Sequence, residues 1–408
     1  LLGIWIPLII SIYYIYIESW TLGYSLNFLV GNFESGLTDI GMKMNFFKST
    51  FADYIGSSEN GKTMLSPSFF AYSCFLLTVF INYKIISKGI SKGIERFVKI
   101  AMPALFIMSI FMVVYVLTLE TPVSNSINGL NFLWSPNLDY LFSPRVWIAA
   151  AGQVFFTLSL GFGAIVTYAS FVKKGDDIAL SGLTAASINE LIEVVFGGSI
   201  VIPAAVAFLG VSGAVLVAQS GAFSIGFIAM PAIFDGLPFG SYIGFTWFFL
   251  LFVAGLTSSV GILQPVVTFV SEELNSYQKR SSRLVMFVVF IFAQFVIFFP
   301  GFLEEFDFWA GTIFLVILAL TEILIFTIYI APGDHVRTIN LGSMIRVPTI
   351  FNQVFRYYLP ALLAILFISW LIQDVQSDNS IIFKFNFWSQ LARIVLLGLF
   401  IGIFLLVV

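Results

Sequence analysis

Three carboxylates, Glu18, Glu193 and Glu322, fall inside long apolar stretches of this 408-residue chain. An ionisable group in such a setting is costly and usually functional, the plain alternative being a neutral, hydrogen-bonded carboxyl. Asn189 and Glu193 are four residues apart and so share a helical face. In the run Ala254-Gly-Leu-Thr257-Ser258-Ser259, positions 254, 257 and 258 also share one face. A hard monovalent cation takes neutral oxygens, so two hydroxyls and nearby carbonyls there suit part of a sodium site. The alternative is a pair of hydroxyls bonded to their own backbone. The run Gln153-Val-Phe-Phe156-Thr157-Leu-Ser159-Leu-Gly161-Phe162-Gly163 sets two glycines and two hydroxyls near the middle of an apolar segment. A helix break there would free carbonyls for a cation and point a half-helix end at a ligand; ordinary small-residue packing is the other reading. Tyr14 follows Ile10 by four residues, so a phenol able to donate to an anion faces the same way as an apolar side chain. Cys74 reads as core packing, and His335, beside Asp334 and Arg337, as a solvated loop residue. No nucleophile and base pair up, so an enzyme is not indicated, and one cysteine and one histidine exclude a disulfide framework or a zinc site built from them.

The elements that must hold these residues are membrane helices. The chain is 59% hydrophobic and 10% charged, against about 25% charged in soluble proteins, and its mean hydropathy is +1.00. Nineteen basic against 22 acidic residues leave no basic field for nucleic acid. A crossing needs roughly 20 apolar residues. Ten segments qualify, at about 2–30, 67–87, 97–118, 146–171, 179–211, 241–271, 284–301, 308–330, 357–373 and 388–408. Basic residues gather in alternate connections: Lys84, Lys88, Lys92, Arg96 and Lys99; Lys173 and Lys174; Lys279, Arg280 and Arg283; Arg337, Arg346 and Arg356. The other connections carry Glu34, Asp39, Asp53, Glu59, Asp139, Asp235, Glu304, Glu305, Asp374 and Asp378. The even-numbered connections are therefore expected in the cytoplasm, with Leu1 on the same side. Leu1 begins without methionine or a polar lead-in, and the expectation is a fragment lacking its true N-terminus.

The chain resembles the neurotransmitter:sodium symporters, most closely their bacterial leucine-transporter branch. The matching stretches run nearly end to end: Trp5-Ile-Pro-Leu with Tyr13-Tyr-Ile-Tyr-Ile-Glu-Ser-Trp20, Lys88-Gly-Ile-Ser-Lys-Gly-Ile-Glu-Arg-Phe97, Gly152-Gln to Gly163, Ser181-Gly-Leu-Thr-Ala-Ala186, Ala254-Gly-Leu-Thr-Ser-Ser259 and Asp307-Phe-Trp-Ala-Gly-Thr312. The resemblance implies an all-α polytopic membrane protein with a LeuT-like inverted-repeat fold, ten of the expected twelve transmembrane helices being present. Residues 1–408 would form one transporter domain, with 1–118 the remainder of the first repeat, 146–330 the second and 357–408 two C-terminal helices.

By position, the resemblance implies a substrate pocket of Ile10, Tyr14, Phe156, Thr157, Ser159, Phe162, Ser258 and Ile262. Tyr14 would bond the carboxylate of a small neutral amino acid, and the apolar members would enclose an aliphatic side chain. One sodium site would use Thr157 and Asn189, and a second the Ala254 carbonyl with Thr257 and Ser258; both would be incomplete in this chain, lacking first-helix groups. Glu193 stands where chloride-dependent relatives have a serine, which implies chloride-independence. Gln153, Glu304 and Asp307 match the outer gate and Glu272 the inner one, while Phe171 replaces an inner-network tyrosine. The function implied is sodium-coupled symport of a leucine- or alanine-type amino acid by alternating access. A transport-incompetent fragment or an amino-acid-binding protein is the alternative. Sodium ions and the lipid bilayer are the implied partners, a homodimer is among the assemblies the family allows, and the place is the cell's inner (plasma) membrane.

Overall fold

A computed structural model describes residues 1–57, 64–173, 175–330, 335–376 and 380–407. Glu59, Lys174 and Asp378 of the charge map, and Asp334 beside His335, lie outside these residues. The described chain is helical, its one strand-like contact being an isolated bridge between Glu120 and Asn125. In order come α1 (Leu2–Val30), α2 (Ile40–Ile55), α3 (Phe69–Ile86), α4 (Ile90–Leu117), α5 (Ser126–Trp134), α6 (Pro144–Thr157) and α7 (Ala164–Ala169). There follow α8 (Ile178–Gln219, sharply kinked at Gly210, φ 68°), α9 (Ala222–Phe234), α10 (Gly240–Glu273), α11 (Gln278–Phe298), α12 (Phe302–Tyr329), α13 (His335–Ile339), α14 (Phe351–Val375) and α15 (Phe387–Val407). Among the described residues nine helices are long and apolar enough to cross a membrane. The expected span 146–171 is the tenth, and it is divided between α6 and α7.

The ends of these helices follow from local chemistry. Asp39, Ser68 and Asn125 cap α2, α3 and α5 by accepting from the backbone N–H three residues on. Asp177 caps α8 in the same way and also accepts from the Met344 N–H at 2.6 Å. Those backbone donors, Met344 first and then Leu180, hold its carboxyl below the ordinary aspartate range. Gly31 closes α1 in the left-handed region (φ 80°) and donates to the carbonyls of Asn27 and Phe28. The helices α2, α5 and α9 lie in connections; α9 is apolar but shorter than a crossing requires.

Helix α1 is the centre of the molecule. It is apolar on every side, and such a helix must be buried all round; Trp5, Ile6, Ile9, Ile10, Ile12, Tyr13, Ile15 and Tyr16 each have 3% or less of their surface exposed. It packs chiefly along α10, and also against α3, α11, α12 and α15. The approach to α10 is close because Gly244 has no side chain; a Cβ there would lie 2.4 Å from the Phe28 ring. The same helix pair is lined with aromatic rings, Tyr24 and Phe28 meeting Phe33, Phe227 and Phe248 at centroid distances of 4.8–6.3 Å among these and neighbouring rings.

Several helices contain π-turns, a wide register common at functional sites. One covers Leu191–Gly197 of α8 and another Asp307–Phe314 of α12. His335 departs from the expectation of a solvated loop residue. It opens α13 and is 0% exposed, its ring 5.2 Å from that of Phe326, and neither ring nitrogen has a hydrogen-bond partner among the described residues. The chain folds back onto the end of α12 there, which local polarity in the sequence did not disclose.

Candidate functional site

The break between α6 and α7 is made by backbone conformation. Ser159, Gly161 and Gly163 all have positive φ, at 53°, 74° and 70°. Glycine takes that region without the clash a Cβ brings. Here the clash would be double: a Cβ on Gly161 would lie 2.4 Å from the Leu315 carbonyl of α12, and one on Gly163 would lie 2.2 Å from the Gly3 carbonyl of α1. Pro7 has no N–H, so the Gly3 carbonyl lacks its helical donor at the point where Gly163 arrives. The unwound segment is thus pressed between two other helices, and the broken-helix reading of this run holds.

At the end of α6 four polar side chains converge. The Gln153 amide donates to Glu193 and the Thr157 hydroxyl donates to the other oxygen of the same carboxylate. Asn189 Nδ2 donates to Thr157 Oγ1 at 2.9 Å, with Asn189 Oδ1 3.2 Å from the same oxygen. Helix α8 supplies Asn189 and Glu193 from one face, and the π-turn at Leu191–Gly197 sets the second relative to the first. The result is a compact group of oxygens around Thr157 with one formal negative charge, chemistry that suits a small cation.

The helix α10 presents two polar faces. On one, Thr257 donates to the Ala254 carbonyl at 2.7 Å, and Ser258 is exposed. The Thr257 contact to its own backbone is the plainer arrangement foreseen for this residue, and it also brings two candidate ligands together. On the other face, Ser259 donates to Asn82 Oδ1 at 2.8 Å, and Asn82 Nδ2 donates to both Glu18 oxygens at 3.2 and 3.4 Å. Glu18, Asn82 and Ser259 are all 3% exposed or less, so this second group is sealed by α1, α3 and α10.

The apolar pocket candidates divide. Ile10, Phe162 and Ile262 are buried at 0%, 2% and 5% exposure, whereas Phe156 is 44% exposed and meets Phe162 edge-on at 6.0 Å. A cavity of about 580 Å³ opens against the unwound segment, lined by Ser159, Leu160, Gly161 and Gly163 with Glu322, and Ser159 is the one pocket candidate in its lining; another of about 540 Å³ lies away from the break, between the end of α1 and the start of α10. Of the gate candidates, Asp307 accepts from the Tyr13 phenol at 2.7 Å, and Gly311 leaves the space for that contact. Glu304 is exposed, and Gln153 is engaged with Glu193 rather than with Asp307. Glu272 is exposed near the end of α10, without a hydrogen bond or ion pair to a described residue. Phe171 is 56% exposed.

Three polar groups went unread in the sequence. Lys43 and Asp235 form an ion pair at 3.1 Å with side chains 7% and 6% exposed, and Ser35 donates to the same carboxylate. Arg393 forks onto Glu305 at 2.9 and 3.1 Å. Asn82 completes Glu18. Each partner lies far off in the chain, so spacing carried no signal; an arginine inside the last apolar segment was the one available hint.

An interrupted membrane helix, flanked by hydroxyl and amide oxygens on neighbouring helices, is the architecture of a secondary transporter rather than an enzyme. The profile of the "Sodium:neurotransmitter symporter family" matches residues 41–408, and the chain belongs to that family. It is 27% identical over 377 residues to a sodium-dependent transporter of Haemophilus influenzae, covering 88% of this chain and 76% of that protein. With a sodium-dependent transporter of Methanocaldococcus jannaschii it shares 27% over 339 residues, 81% of this chain and 65% of the other. The crystal structure of MhsT in complex with L-phenylalanine superposes with a TM-score of 0.73 at 26% identity, over 90% of this chain and 80% of that one. The fold is therefore that of the LeuT-like transporters.

Proposed function

We propose that the protein carries out sodium-driven symport of a neutral, aliphatic amino acid of the leucine or alanine type by alternating access, without chloride. The observation that carries this reading is the unwound segment after Thr157, with Asn189 and Glu193 bonded to that threonine. Thr157 and Asn189 would hold one sodium ion beside the substrate carboxylate, and Tyr14 would donate to that carboxylate. The Ala254 carbonyl, Thr257 and Ser258 would hold a second ion. Ile10, Phe156, Phe162 and Ile262 would enclose the side chain, with Ser159 offering backbone atoms at the break. L-Phenylalanine in the MhsT complex supports a hydrophobic substrate class. A pocket of this kind discriminates one methylene by about 1–3 kcal/mol, so related aliphatic amino acids should compete.

Coupling follows from geometry: an ion and a substrate carboxylate that share contacts each lower the cost of binding the other. Asp307 and Glu304, with Gln153, would form the outer gate on the acidic side, and Glu272 would belong to the inner one. The basic connections would face the cytoplasm across the plasma membrane. Residues 1–118 would then belong to the first repeat, 146–330 to the second and 357–408 to the C-terminal helices, with a homodimer as an accessible assembly.

The test is leucine and alanine binding and flux in sealed proteoliposomes, with sodium replaced in turn by lithium and potassium. Sodium-dependent binding and flux are expected, with potassium inactive. Equal affinity without sodium would overturn the reading, and binding without flux would make the protein a receptor. Glu193→Ser should render binding chloride-dependent, because the negative charge beside Thr157 must then come from an added anion. Indifference of that variant to chloride would remove the chloride assignment.

A further inference from the structure

We propose that Arg393, on the C-terminal helix, is a positioning residue for the outer-gate carboxylate Asp307. Glu305 is the pivot. It is 1% exposed and takes a two-pronged contact from Arg393, Nε to Oε2 at 2.9 Å and a terminal nitrogen to Oε1 at 3.1 Å. The Trp309 indole N–H adds a third donor at 3.0 Å. The remaining guanidinium donors reach the carbonyls of Ile381 and Ile382, and the group lies 5.8 Å from the ring centres of Trp309 and Phe385. A planar fork with five donors makes this set of contacts, whereas a lysine ammonium does not.

The clamp acts on the turn that carries Asp307. Glu305 and Trp309 are four apart and share a helical face, while residue 307, between them, points to the opposite one. The clamp therefore pins the outer face of α12 to α15, and the other face presents Asp307 to Tyr13 at 2.7 Å. The pinned turn opens directly into the π-turn Asp307–Phe314. Asp307 stands where the α-helical register gives way to the π-turn, so the anchors on the two sides of that junction, Glu305 with Arg393 and Tyr13, decide where the carboxylate stands. The inference rests on reading Asp307 as part of the outer gate.

The experiment compares the wild-type protein with Arg393→Lys in proteoliposomes. The dissociation of radiolabelled leucine in sodium should accelerate about tenfold, with the sodium concentration for half-maximal binding unchanged. In an Asp307→Asn background the same change should have an effect below about twofold, since the two act through one contact. Lys43→Met, which breaks a buried ion pair elsewhere, should lower thermal stability and leave dissociation unaltered. Unaltered dissociation in Arg393→Lys, or full additivity with Asp307→Asn, overturns the proposal. A second measurement is independent of the substrate: spin labels at positions 48 and 304 in a Cys74→Ala background. Arg393→Lys should broaden their distance distribution, and an unchanged distribution overturns the proposal whether or not leucine binds. Absence of sodium-dependent leucine binding in the wild type would instead count against the transport reading.

Discussion

Polar groups in the α1–α3–α10 bundle and polar groups at the α6–α7 break are built from the same residue types, yet they are in opposite situations. Glu18, Asn82 and Ser259 are sealed and satisfied by one another. Thr157, Asn189 and Glu193 are half-buried and gathered where the backbone has left its helix. A carboxyl closed in by three packed helices holds those helices in register. A carboxyl beside an unwound turn has oxygens around it that a ligand can recruit. Burial and backbone regularity, more than residue type, separate structural polarity from functional polarity in a membrane protein.

The largest effect should come from the break itself. Gly163→Ala forces a Cβ into a positive-φ site 2.2 Å from the Gly3 carbonyl, so α1 and the unwound turn cannot both keep their places. Loss of sodium-dependent binding by more than about 100-fold, or of folded protein, is expected. Gly152→Ala, with nothing within 4 Å of the added atom, should be tolerated. Size-exclusion profiles and binding isotherms of the two variants check this, and equal behaviour would erase the distinction between the regions.

Next in size is the sealed group. Asn82→Leu leaves Glu18 without its amide donor inside the bundle, at a cost of about 2–3 kcal/mol. A lowered midpoint of thermal unfolding in detergent is expected, with sodium affinity nearly intact in the protein that remains folded. Thr257→Val should do the reverse, weakening sodium activation about tenfold while shifting the midpoint little, since the lost hydroxyl is only half-buried and bonds its own helix backbone. If both variants altered stability and neither altered sodium dependence, the two faces of α10 would be alike in role.

The smallest effect concerns the edge of the bundle. Asp177 has its carboxyl held low by backbone donors at the start of α8. A folded-state value below the unfolded one stabilises above the unfolded value and loses that contribution as pH falls through the folded one. Unfolding midpoints should therefore decline from about pH 5 downward, and Asp177→Asn should flatten part of that decline. An identical pH profile in the variant would assign the decline to other carboxylates.

Much of the fold was legible because the bilayer imposes a length rule on apolar segments. Nine helices lie where hydropathy placed them, and the tenth segment is broken at the glycines that marked it. The cluster of Asn189 and Glu193 was legible as well, since helical spacing alone puts them on one face. Their meeting with Gln153 and Thr157 was less so, and the engagement of Gln153 with Glu193 rather than Asp307 depends on how α6 packs beside α8. His335 shows the limit of local reading: polar neighbours in sequence did not keep it from being buried against Phe326.

The sequence by itself determined that the chain lives in a membrane, where it crosses, where glycines would allow one helix to break and which hydroxyls share a face with a carbonyl. Each of these follows from short-range rules of hydropathy, helical period and glycine's access to positive φ. Tertiary structure alone decided which carboxylates are sealed, which ion pairs bind distant segments, and that Arg393 meets Glu305 across 88 residues. Those outcomes depend on which helix faces pack together, a property of the whole bundle that no local spacing records.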